Sequence, residues 1–554
     1  MTRRYEELLD RLRLAFPQPV SDPVHDAYFV YSISRALEQI DNLKSQAPIL
    51  GAAVQADYLA ARTSRVPERG ESIEHIIPQL VKTLEGMFIW GHPACQVNVV
   101  PPPSIASIIG VLLPSTYNPN LCSEEGAQRP AETEVRVVSM AAELVGYDPA
   151  QADGVFTFGG TGAMLYGVKI GLEKAMPGAG KTGVRGNVAI FSSEQSHYSC
   201  LNVASWLGIG QDQVVRVPTT PDNALRVDLL EAALRQALDQ GTRVAAIVAT
   251  LGTTDAFGLD DLAAIVELRD RLVDEFRLDY RPHIHADAVI GWAWSVFRDY
   301  DFKVNPLGFR GRTVRALAAA DYRVKHLGLA DSIGIDFHKT GFVPYVSSLV
   351  LVRLGGELQS IGRGRDAMPY LYHTGQRNPG IFTLETTRSG AGPLSALANL
   401  LLLGREGIRT LLGHVVDMAE TLRERLESHP DLTVLNGENV GPVTLFRVYP
   451  HGTDTFTVKK REQSDPKYRD RLLAHNEYNR RIYHRVYAEA LAGRGVALSL
   501  TECYRKSDYG EPIVALKSYI LSPFSTPDRV EGIVEHVLAA RDEIEREQAD
   551  GVAP

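Results

Sequence analysis

The chain has 554 residues, 44% of them hydrophobic and 23% charged, and a formal net charge of −9. That composition excludes a largely disordered chain and offers no basic surface for nucleic acid or an acidic membrane. The length suits roughly two to four domains. Cys95, Cys122, Cys200 and Cys503 are far apart and form no CxxC pair, which predicts neither a zinc site nor a disulfide framework and fits a reducing cytoplasm. The histidines show no metal-ligand spacing on a helix, so no metal is expected. Residues 1–10 are charged and lack a signal-peptide core. No apolar run reaches the ~20 residues that span a bilayer.

In chain order, residues 1–90 read as helical, with helix-like stretches at 28–43, 51–61 and 73–88. Pro101-Pro102-Pro103 and Asn118-Pro119-Asn120 break the chain. Residues 131–145 predict an amphipathic helix with Val135, Val138, Ala142 and Val145 on one side. From about 150 short apolar runs alternate with helical stretches. Strands are expected at 155–158, 187–191, 214–217, 244–250 and 283–287, then on both sides of a turn carrying His338 and Lys339. That alternation predicts an α/β fold with a mainly parallel sheet. Residues 298–325 read as a charged surface insertion. The run 397–403 reads as a buried helix within a helical stretch at 391–428. Strands at 432–435, 443–449 and 513–520 and helices at 467–492 and 526–547 make an α+β C-terminal part. Residues 450–470 read as an exposed loop. The expected division is 1–115, a helical segment; 116–395, the large domain; and 396–554, the small domain.

Parallel sheets bind ligands at the carboxyl ends of their strands, and that is where the conspicuous polar residues fall. Phe158-Gly159-Gly160-Thr161-Gly162-Ala163 follows a strand and opens a helix. Glycine lets the backbone come close, and a helix start offers free N–H groups to a phosphate. His197 closes the segment after the next strand and can stack on an aromatic ring, although a lone histidine is more often structural. Thr250-Leu251-Gly252-Thr253-Thr254 ends another strand and reads equally as a helix-cap cluster. Asp287 in His285-Ala286-Asp287 can hold a pyridine nitrogen protonated, or simply pair with a buried base. A lysine between two apolar strands is costly as a permanent cation, and Schiff-base chemistry with pyridoxal 5'-phosphate is one resolution.

The order of these motifs resembles the group II pyridoxal-phosphate-dependent decarboxylases, which act on aromatic amino acids, glutamate and tyrosine, and their relatives the sphingosine-phosphate lyases. The resemblance covers about 90–400. It implies the PLP-dependent transferase fold of aspartate-aminotransferase type (fold type I), with a large mainly parallel domain and a smaller α+β one. It implies that Lys339 forms the Schiff base, His197 stacks on the ring and Asp287 meets the pyridinium nitrogen. Gly160, Thr161 and His338 would lie at the phosphate, and Thr250 at the ring hydroxyl. It further implies a homodimer with interface active sites, the helical N-terminal segment embracing the partner, and a tyrosine proton donor on a lid. Tyr370 and Tyr372 are the candidates for that acid.

Four positions depart from the family pattern. Gly162 follows Thr161 where Glu is usual. Val289 stands for Ala after the ring-binding Asp. Asp336 stands for Asn or Ser near the phosphate and would repel it unless pointing away. Tyr345 stands where the lyases carry a basic residue. The implied reaction is decarboxylation of an L-amino acid to its amine. The alternative is carbon–carbon cleavage of a phosphorylated amino alcohol. His92 and residues 98–104 are candidates for the substrate pocket.

Overall fold

A computed structural model describes residues 4–364 and 373–549. Its centre is a seven-stranded sheet in the order β1-β7-β6-β5-β4-β2-β3. The strands are β1 Asp153–Thr157, β2 Val188–Ser193, β3 Val214–Val217, β4 Arg243–Thr250, β5 His283–Asp287, β6 Ser332–Asp336 and β7 Ser348–Val352. β3, β2, β4, β5 and β6 run parallel; β7 returns antiparallel between β6 and β1.

Their sequences are almost continuously apolar because helices cover both faces. In β2, Val188 and Ile190 pack into one cluster with the helices Gly160–Ala175 and Ser199–Trp206. Ala189 and Phe191 pack into the other, with Arg129–Val145, Leu262–Phe276 and Gly311–Val324. β6 and β7 are joined by residues 337–347. This return puts His338 and Lys339 beside the carboxyl ends of β4 and β5.

A second sheet is antiparallel throughout, in the order β10-β11-β9-β8. It comprises β8 Leu432–Val434, β9 Val443–Val448, β10 Ser499–Lys506 and β11 Pro512–Tyr519. The helices Arg469–Leu491 and Pro527–Ala549 share its apolar core through Ile482, Val486, Val530 and Val537. Four α-helices, Arg4–Arg13, Pro23–Asp41, Tyr58–Ala61 and Ile73–Lys82, stand in the described N-terminal stretch, and of their side chains only Val81 is buried.

Several expectations need correction. Residues 298–325 are not a surface insertion: Gly311–Val324 is a helix whose Ala316, Leu317, Ala320 and Val324 are core residues. The stretch 450–470 is not a loop: Thr455–Ser464 is helical and Val458, Glu462 and Tyr468 are buried. In Arg129–Val145 the buried side includes Val137, Val138, Ala141 and Val145, while Val135 lies outside it. The run 397–403 is helical, but Leu401 and Leu402 are exposed, and the helix Ala391–Glu427 kinks at Gly404. In 51–61 only Tyr58–Ala61 is helical. β10, Ser499–Lys506, lies outside the strands read from the sequence.

Candidate active site

One cleft opens at the carboxyl ends of β4, β5 and β6. It is bordered by Gly160, Thr161, His197, Ser199, Thr250, Gly252, Thr253, Thr254, Asp287, Val289, Asp336, His338 and Lys339. Each side chain arrives there for a local reason. Asp287 ends β5, Thr250 ends β4, and Gly160 and Thr161 begin the helix that follows β1.

The Lys339 turn is tightly fixed. Trp292 donates its indole N–H to the Asp336 carbonyl at 3.1 Å, and Thr340 donates to the Ile290 carbonyl at 2.7 Å. A Cβ at Gly341 would stand 2.5 Å from the Phe337 carbonyl oxygen, so this turn requires glycine. Lys339 Nζ lies 3.0 Å from Asp336 Oδ2, and His338 Nε2 lies 3.6 Å from the same oxygen. Asp336 Oδ1 accepts from the Ser348 hydroxyl at 2.6 Å. Burial pulls the Lys339 ammonium down, but Asp336 and Asp287 push harder and hold it above its ordinary value. Tyr345 sets its ring against His338, centroids 4.3 Å apart.

Asp287 is buried, and burial lifts its carboxyl to about 6 against the pull of Lys339, with Asp336 adding to the rise. His197 is pushed down by burial and by Lys339, which keeps its ring neutral; Nδ1 accepts from the Ser199 N–H at 3.2 Å. Thr250 shares a 2.7 Å hydrogen bond with Ser196. Its own N–H donates to Asp260, whose other oxygen takes the Leu225 N–H, both at 2.7 Å.

These residues fit pyridoxal phosphate. The helix Gly160–Ala175 presents its N-terminus to the cleft, and Gly159, at φ 125°, leads into it with open space around its Cα. A Cβ on Gly160 would stand 2.9 Å from Asp336 Oδ2 and 3.1 Å from Val289 Cγ1, so the cradle has no room for a side chain there. Asp336 does not point away from this turn. Lys339 neutralises it instead, and Ser348 donates to it.

The structure thus brings Gly160, Thr161, His197, Thr250, Asp287, His338 and Lys339 together. It leaves His92 and residues 98–104 off the cleft's lining. Tyr370 and Tyr372 lie outside the described residues. Sequence reasoning missed Ser348, Ser196 and Asp260.

The family model described as the pyridoxal-dependent decarboxylase conserved domain matches residues 57–449. An L-2,4-diaminobutyrate decarboxylase of Rhizobium meliloti (strain 1021) is 24% identical over 87% of this chain and 85% of its own length. An L-tyrosine decarboxylase of Enterococcus faecium is 26% identical over 44% of each chain. Among solved structures, the glutamate decarboxylase domain of a diaminobutyrate-pyruvate transaminase and L-2,4-diaminobutyrate decarboxylase from Vibrio parahaemolyticus superposes with a TM-score of 0.73. It is 19% identical and covers 97% of this chain and 99% of that one.

Proposed function

The chain belongs to the pyridoxal-dependent decarboxylase family, and from that membership we propose how its cleft acts and on which substrate. It is an amino-acid decarboxylase that uses pyridoxal phosphate. Bound there, the cofactor supplies an electron sink for the pair left behind when carbon dioxide departs.

The chain's own residues do the rest. Lys339 would hold the cofactor's aldehyde carbon, and Asp336, 3.0 Å from its Nζ, favours the charged ammonium over the neutral amine until the cofactor is held. Asp287, an anion at neutral pH, would hold the ring nitrogen. His197, with a neutral ring, would cover the cofactor's ring. Gly160, Thr161 and the helix start would hold the phosphate, with His338 beside them. Thr250, fixed by Asp260 and Ser196, would meet the ring hydroxyl. The observation that carries this reading is that Lys339, in the turn after β6, and Asp287, at the end of β5, face one cleft and feel each other's charge.

The family and the named relatives support decarboxylation over carbon–carbon cleavage. For the substrate we put L-2,4-diaminobutyrate first. Two relatives so named span 87% and 83% of this chain, whereas the E. faecium tyrosine enzyme spans 44%. The working unit is a homodimer, its N-terminal helices laid on the partner. It works in the cytoplasm, where the buried free thiols Cys95, Cys122 and Cys200 stay reduced. No helix among the described residues is long and apolar enough to cross a membrane.

The test is to load the protein with pyridoxal phosphate and offer diaminobutyrate, tyrosine, aspartate and other L-amino acids. Amine and carbon dioxide are measured together. Equal yields of both from one substrate class, absent in Lys339→Ala, are expected. Carbon dioxide released at the same rate by Lys339→Ala would overturn the role given to the lysine.

A further inference from the structure

Behind Asp287 a string of polar side chains runs away from the cleft, beneath the helix Gly160–Ala175. β5 carries His283, His285 and Asp287 at alternate positions, hence on one face, and all three are buried. Ser332 of β6 pairs in register with His285. Its hydroxyl bridges both rings, 2.7 Å from His283 Nε2 and 2.8 Å from His285 Nδ1. The other nitrogen of His283 lies 3.1 Å from Nζ of Lys174, in the last turn of the helix; that ammonium also donates to Glu357 at 2.7 Å. At the opposite end, His285 Nε2 faces Gly334, the residue paired with Asp287 across β5 and β6. A Cβ on Gly334 would stand 3.5 Å from it.

The direction of every bond in this string follows from its outer end. An ammonium only donates. His283 Nδ1 therefore accepts, and its proton is on Nε2. That N–H donates to Ser332, whose single hydroxyl hydrogen is left for His285 Nδ1. The proton of His285 is then on Nε2, the atom turned toward the Asp287 end. All the dipoles point one way, from the lysine toward the carboxylate. Burial keeps both rings neutral: it holds His285 at about 3, and His283 well below its ordinary value with Lys174 adding to the drop.

The helix is cut to fit the rings. A Cβ on Gly167 would lie 2.2 Å from His285 Nδ1, and one on Gly171 would lie 2.9 Å from the Cβ of His283. A strand that needed only to fill space could use valine or isoleucine at both positions, at no cost in buried polar atoms.

We propose that Lys174, His283, Ser332 and His285 are positioning residues. Through this one-way string they stabilise the anionic form of Asp287 and so govern how firmly the cofactor's ring nitrogen is held. The inference rests on the role given above to Asp287. Among the described residues the other charges in reach are few. His283 faces Lys174, Glu357 Oε2 at 3.9 Å, Asp331 and Arg269, and Arg353 pairs with the second oxygen of Asp331. Asp287 faces Lys339, Asp336 and the Cys200 thiol.

The experiment compares the cofactor-loaded protein with Lys174→Met, Ser332→Ala, Ser332→Thr and Asp287→Asn. The pH midpoint of the bound cofactor's absorbance is read by titration, and cofactor affinity by equilibrium dialysis. Lys174→Met and Ser332→Ala should move the midpoint in the same direction as Asp287→Asn, by about half a pH unit or more, and weaken retention several-fold. Ser332→Thr, which keeps the hydroxyl, should restore the original midpoint. Midpoints of Lys174→Met and Ser332→Ala equal to the parent's, with Asp287→Asn shifted, would overturn the string while leaving the role of Asp287 standing. An unshifted Asp287→Asn would overturn that role itself. If Ser332→Ala or Ser332→Thr fails to fold, Lys174→Met, at the rim of the fold, decides the question alone.

Discussion

Asp336 sets how reactive Lys339 is. Only the neutral amine attacks an aldehyde, and two opposed effects decide how much neutral amine there is. Burial favours it; Asp336 at 3.0 Å and then Asp287 disfavour it, and the carboxylates win. Asp336→Asn keeps the shape and the hydrogen bond from Ser348 but removes the nearer charge. The pH dependence of cofactor attachment to apoprotein should then move to lower pH. Attachment at pH 8 should quicken by about tenfold for each unit moved. A midpoint that stayed or rose would show that Asp336 does not govern this amine. The positions that the sequence revealed here, Lys339, Asp287, Thr250, His197 and Gly160, each follow an apolar run, where a parallel sheet exposes its ends. Ser348, Ser196 and Asp260 work by reaching across to another strand or loop. Serine and aspartate are common everywhere, so without the register between strands nothing distinguished them.

The loop from Thr250 to Asp260 is closed by its own backbone bonds and tied down by one buried carboxylate. Asp260 is fully buried, and its two oxygens take the N–H groups of Leu225 and Thr250. Asp260→Ala leaves both donors unpaired in the interior, which costs roughly 2–5 kcal/mol in urea unfolding of the apoprotein. A loss within 0.5 kcal/mol would mean that water or a neighbour replaces it. The sign of its pH dependence is also fixed. Burial raises this carboxyl from 3.8 to about 7. Between those values the folded state binds the proton more tightly, so this group's contribution to stability grows as pH falls from about 7 toward 3.8. In Asp260→Asn that contribution should vanish from the stability–pH profile. The elements themselves were legible wherever the period was clean: β3 and β5 stand where the apolar runs put them. Gly311–Val324 was not, because its apolar face is mostly alanine among arginines and reads as polar. β10 was not, because Ser499–Lys506 mixes exposed and buried positions around a register shift between Thr501 and Arg505.

At the scale of the whole molecule the unexplained surface is apolar. The helix Ile105–Tyr117 packs by Gly110 against Ser395 so closely that a Cβ on the glycine would stand 2.6 Å from the Ser395 Cα. Its outer side carries Ile105, Ile108, Ile109, Leu112, Leu113 and Tyr117, all exposed, and Leu401 and Leu402 are exposed farther along Ala391–Glu427. A contiguous apolar surface of this kind marks an interface rather than a monomer's skin. In the proposed dimer it would be covered by the second copy, and the helices Arg4–Arg13 and Pro23–Asp41, which have no fully buried residue within one chain, would complete their packing there. The hydrophobic free energy at stake is roughly 25 cal/mol per Å² covered, so one charge at the centre of such a contact is disruptive. Leu113→Asp, on the helix's outer side and away from the cleft, should convert a dimer into a monomer in sedimentation velocity at micromolar concentration. It should leave the far-ultraviolet circular dichroism intact and lower carbon dioxide release in step with dissociation. Decarboxylation that survives complete dissociation would mean that each cleft is sufficient alone. A parent protein that sediments as a monomer would leave the dimer with no support.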